Sequence, residues 1–156
     1  MNDVDLLDLP SELTLAVVYV DEHLIGLEAI VRAGYWCGRV KNYTVSNHIA
    51  DFALALIRFT DGTSIEAKFV AGSDTGAGLI ALRFYRVDRS GHIACHVRLD
   101  TGGLPEDHRP EQVFRFLIEV QTETWAVIQF ARQLDEVART LEGRASLRLC
   151  PFSGPS

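Results

Sequence analysis

The chain is 156 residues long, 47% hydrophobic and 23% charged, with a formal net charge of −6. That length suits one domain, which buries about 68–70% of its unfolded surface and needs no disulfide or metal to hold its core. The negative balance counts against nucleic acid, whose binders carry a basic stripe, and no apolar run approaches the ~20 residues of a membrane span.

Met1 to Pro10 is acidic and has neither the basic nor the apolar region of a signal peptide. A loosely ordered tail and a cytoplasmic location are expected. Leu13, Leu15, Val17 and Tyr19 alternate with smaller or polar residues, the period of a strand. Asp21 to Gly26 reads as a turn. Ala29 to Tyr43 is a longer extended stretch, in which Gly34 and Gly38 suggest a bulge or a hairpin around Trp36. Ser46 suits a helix N-cap. Ile49, Phe52, Ala53 and Leu56 follow at helical spacing, which predicts a first helix over Asn47 to Phe59. Asp61-Gly62 is a turn, and Ile65, Ala67 and Phe69 begin the next strand. Gly72 to Gly78 is a small-residue loop.

Ile80, Leu82 and Phe84 alternate with Ala81, Arg83 and Tyr85. After a turn at Asp88 to Gly91, Ile93, Cys95, Val97 and Leu99 resume the alternation, which predicts a hairpin. Asp100 to Pro110 is a polar loop. Phe114, Phe116, Ile118 and Val120 form another strand. Thr122 can cap a second helix, whose apolar face runs through Ala126, Val127, Phe130, Ala131, Leu134, Val137 and Ala138. Arg144 to Leu149 is a last short strand, and Pro151 to Ser156 a tail.

One block occurs twice. Phe52, Ala53 and Leu56, followed by Gly62 and a strand, are echoed by Phe130, Ala131 and Leu134, followed by Gly143 and a strand. The helical cores match at a constant offset. Several strands have one apolar and one mixed face, as in an antiparallel sheet covered by helices on one side only. The expected fold is therefore a single α+β domain: a largely antiparallel sheet of six or seven strands with two helices packed on one face.

No catalytic constellation is recognisable. His92 and His96 have a metal-binding spacing for a helix, but they lie in a strand pattern, where four residues span ~13 Å. One ion cannot bridge that distance. The Gly72 to Gly78 run resembles a phosphate loop, yet a strand pattern and not a helix follows it. Cys37, Cys95 and Cys150 are odd in number and widely spaced, which reads as buried free thiols and not as a disulfide or zinc framework. Cys95 and His96 are neighbours on a strand and point to opposite faces. No catalytic residue, metal or cofactor is expected. Trp36 and Trp125 read as partly buried packing residues.

The mixed sheet face is more suggestive. Alternation places Arg83, Tyr85, His96, Arg98 and Arg115 opposite the apolar set, together with Glu119. Arg and Tyr are enriched in protein interfaces, so these five are the candidate partner-binding residues. A solvated sheet face is the competing reading.

The order of elements resembles the bacterial immunity proteins that accompany wall-associated and YD-repeat polymorphic toxins, and related domains of unknown function. The resemblance covers roughly residues 29 to 149. It rests on the Phe52-x-x-x-Leu56 helix, on Gly91-His92-Ile93 closing a hairpin, and on the strand Phe114 to Val120. That strand runs through Gln121-Thr122 into the Phe130-x-x-x-Leu134 helix. Two departures stand beside these points: Val120 and not an acidic residue precedes Gln121, and Ala77 to Leu82 replaces a Glu-rich strand. The resemblance implies a non-enzymatic binder that occludes a cognate toxin, with no catalytic residues to carry over. The expected partner is another protein, a toxin in that reading, or a second copy of the chain; neither nucleic acid nor membrane is expected. The alternatives are a ligand-binding protein or enzyme with a pocket between sheet and helices, and a structural homodimer.

Overall fold

The computed structural model describes residues 10–73, 78–101, 111 and 113–151. Most of the two expected tails, the middle of the Gly72 to Gly78 loop and nearly all of the polar loop after Asp100 lie outside the described residues. The elements run β1 (Glu12–Val20), β2 (Ile25–Ala33), β3 (Trp36–Thr44), α1 (Ser46–Thr60) and β4 (Glu66–Ser73). Then come β5 (Gly78–Arg86), β6 (Ile93–Asp100), β7 (Arg115–Thr122), α2 (Thr124–Thr140) and β8 (Arg144–Arg148).

The class is α+β, with antiparallel strands and two helices. The strands form two sheets of four, ordered β3-β2-β1-β8 and β4-β5-β6-β7, and not one sheet of six or seven. The sequence repeat explains the division. Each half of the chain is a three-stranded meander, a helix and one more strand. That last strand leaves its own half and pairs with the first strand of the other half's meander: β4 with β5, and β8 with β1. Each sheet thus takes three strands from one half and one from the other.

The two joints are hydrogen-bonded. At one, Asn42 Nδ2 of β3 donates to the Gly78 carbonyl of β5 at 2.5 Å. At the other, Thr122 Oγ1 of β7 donates to the Arg148 carbonyl of β8 at 2.7 Å, and the Cys150 N–H donates to the Gln121 carbonyl at 2.8 Å. These bonds satisfy polar groups where the sheets part company, as buried backbone requires.

Inward residues of both sheets and the facing sides of both helices make one core. Phe52 lies 4.9 Å from Phe69, 6.1 Å from Phe84 and 6.3 Å from Phe130 between ring centroids. Phe52, Leu56, Phe130 and Leu134 are all buried, so the repeated Phe-Ala-x-x-Leu motif is the seam between the helices.

Several local readings are corrected. Neither Ser46 nor Thr122 caps a helix. Val45 and Glu123 hold the N-cap positions in extended conformation with no side-chain cap, while the Thr122 hydroxyl is committed to β8. Gly34 does turn the β2–β3 hairpin, at φ 62°, but Gly38 is no bulge. A Cβ on Gly38 would stand 2.7 Å from Cγ of Phe116, so its absence admits that ring. The register shift falls instead in β1, between Val17 and Tyr19. Trp36 and Trp125 are not packed inside; Trp36 closes the ladder of an edge strand and is 61% exposed. Phe114 lies before β7 and is also exposed. Among the described residues no helix is long and apolar enough to cross a membrane.

Candidate protein-contact surface

Strand alternation and register bring all five candidate residues to one face, the outer side of the sheet β4-β5-β6-β7. Arg83 pairs with His96 and with Lys68, Tyr85 with Ala94 and Glu66, and Arg98 with Ala81 and Leu117. Arg115 pairs with Asp100 at the end of the ladder. Their inward neighbours Leu82, Phe84, Val97 and Leu99 are buried.

The tips on this face are held by one another. Tyr85 sits opposite Ala94, whose methyl leaves room for a ring to cross β6, and its hydroxyl donates to Oε1 of Glu119 on β7. Burial first, and then this bond to Glu119, push the Tyr85 hydroxyl up to about 12. The Arg83 guanidinium stacks 4.5 Å from the Tyr85 ring centroid and approaches Glu66 at 3.7 Å. Asp100 is buried, and Arg98 and Arg115 reach its two oxygens at 3.0 and 3.3 Å. A carboxylate taken out of water needs such partners. His96 is half-buried between Arg83 and Glu119.

The outer face of the other sheet was not singled out in the sequence. It carries Arg144 and Arg148 on β8, Glu12 on β1, Glu28 and Arg32 on β2, and Arg39 and Lys41 on β3. Glu28 is buried beneath Arg39, whose Nη2 and Nε reach one oxygen at 2.7 and 2.9 Å. Lys41, Arg144 and Arg148 are exposed and make no ion pair among the described residues. No sequence signal marks this face, because Arg144 and Arg148 meet β1 only through the crossing of β8.

Among the described residues the cysteines and histidines have separate neighbours. Cys95 points into the core, where burial pushes its thiol well up, the opposite of what a nucleophile needs. Cys150 lines a shallow groove with Glu123, Trp125 and Arg148, and partial burial, with the Glu123 charge second, raises it too. Cys37 is exposed on the edge strand β3. His48 bonds Thr44 Oγ1 at 2.8 Å and stacks on Phe69. His92 lies just before β6 and bonds Asp88 at 2.6 Å, so it and His96 serve different neighbours.

No family model matches the sequence, and no curated protein does. Among solved structures, the chain is similar to one from the CdiA-CT/CdiI toxin and immunity complex of Enterobacter cloacae. The two are 9% identical with a TM-score of 0.45, over 82% of this chain and 99% of that one. At that identity and score the likeness transfers no function.

Proposed function

We propose that this chain is a non-enzymatic protein-binding module of the immunity type, which silences a cognate toxin by covering it. Arg83, Tyr85, His96, Arg98 and Arg115 form the contact face. The observation that carries the reading is their arrangement on one open sheet face, with the tips of Arg83, Tyr85 and Arg98 held by neighbours. Tyr85 is tied to Glu119, Arg83 is stacked on Tyr85, Arg98 is hydrogen-bonded to Asp100, and Arg115 approaches the other Asp100 oxygen as an ion pair. Side chains ordered before binding lose little conformational entropy when a partner arrives. Aromatic and guanidinium groups supply large contact area with polar tips. The sequence resemblance supports the immunity class. The mechanism is steric and electrostatic occlusion, with no bond made or broken.

The test is to inspect the genes beside this chain's own for a toxin domain and to co-express the chain with any toxin domain found there. The wild-type chain restores growth, and the Arg83→Ala/Tyr85→Ala double variant does so poorly while keeping its melting temperature. Growth that stays arrested with the wild-type chain overturns the immunity reading. Full protection by the double variant removes this face from it.

A further inference from the structure

We propose that the outer face of the sheet β3-β2-β1-β8 is a second docking surface, which takes an acidic helix of a partner protein. This surface is separate from the one above and does not depend on it.

The argument begins with charge. The chain is acidic overall, yet this face presents five cations, Arg32, Arg39, Lys41, Arg144 and Arg148, against Glu12 and Glu28. Glu28 is buried under Arg39, which leaves Glu12 as the carboxylate nearer solvent. On the opposite sheet Arg83, Arg98 and Arg115 have intramolecular carboxylate partners; here Lys41, Arg144 and Arg148 make no ion pair among the described residues. A cation cluster maintained without internal partners costs repulsion in the free protein. An acidic partner removes that repulsion.

Geometry then selects the shape of the occupant. Arg144 and Arg148 stand on one edge strand of the sheet, Arg39 and Lys41 on the other. Three strand spacings separate the two columns, roughly 14 Å. Between them the floor holds Thr14 and Ala16 on β1 and Ile30 on β2, with the Glu12 and Arg32 pair at one end and Glu28, covered by Arg39, beside Ala16. An α-helix with its side chains is about 10–12 Å across, so one helix fits between the columns and can offer carboxylates to both. A phosphate backbone is a single line of charge. It would follow one column or cross the floor in a single row, meeting few of the five cations, against the long-range field of an acidic chain.

The test measures fluorescence anisotropy of a labelled alanine/glutamate helical peptide against the full chain at low salt, with labelled oligothymidylate as the phosphate probe. Saturable peptide binding that weakens steeply with added salt is expected. The Lys41→Gln/Arg144→Gln/Arg148→Gln variant should lose about tenfold or more in affinity with an unchanged melting temperature. Should that variant melt early, single charge reversals Lys41→Glu and Arg144→Glu carry the same comparison. The Arg83→Ala/Tyr85→Ala variant should bind the peptide as the wild type does. Absence of saturable binding, equal binding by the triple variant and the single reversals, or tighter binding of oligothymidylate overturns the proposal.

Discussion

Single residues carry two effects that the fold makes measurable. Gly38 allows the Phe116 ring to approach β3 so closely that an added methyl would sit 2.7 Å from Cγ. Gly38→Ala should cost about 1–3 kcal/mol in denaturant melts, as overpacking does. The loss should shrink when Phe116→Ala removes the ring, because the two sites share one contact. The second effect is pH-dependent. The hydrogen bond to Asp88, with its charge second, raises His92 above its ordinary 6.5. The bond from His92 is the largest cause that lowers Asp88 below its ordinary 3.8. The raised histidine contributes stability below 6.5 and loses it as pH climbs through the raised value. The lowered aspartate contributes above 3.8 and loses it as pH falls through the lowered one. The pair therefore supports the β5–β6 turn most between about pH 4 and about pH 6.5. The difference in melting temperature between wild type and Asp88→Asn should peak in that window and narrow on both sides. A difference that is flat with pH would show that the pair is not coupled to folding.

At the scale of elements, the helices hold the two halves together. α1 and α2 meet through the repeated motif, and Phe130 touches both Phe52 and Phe84, at 6.3 and 6.4 Å between centroids. Phe130→Ala should cost about 3–5 kcal/mol, because a fully buried ring leaves a cavity shared by both helices and the second sheet. A loss below ~1 kcal/mol in denaturant melts would place the ring outside the core. Helix positions were legible in the sequence to within a few residues, since apolar spacing of three and four is a strong local signal. Their capping residues were not. Val45 and Glu123 take the cap positions without any capping side chain, so the helices begin where the preceding strands release the backbone. Strand β8 shows how an edge is guarded: the Ser146 N–H donates to Oε1 of Gln133 on α2 at 2.7 Å.

For the whole molecule, what the sequence determined by itself is the class, the β5–β6 hairpin, the two helices and the two faces of β5, β6 and β7. These follow from periods of two and 3.6, which depend only on neighbours along the chain. The five candidate residues came out on one face for that reason. Only the tertiary structure decided how the strands divide into sheets. The crossing of β4 and β8 rests on contacts between residues far apart in the chain, such as Leu15 with Ala145 and Thr122 with Arg148. No local pattern encodes them. The crossing also decides the surfaces, because it sets Arg144 and Arg148 beside β1 and completes a basic face on an acidic protein. The exposure of Trp36, Trp125 and Phe114 is settled in the same way. An aromatic side chain is buried only where another element reaches it, and which element reaches it is a property of the assembled fold.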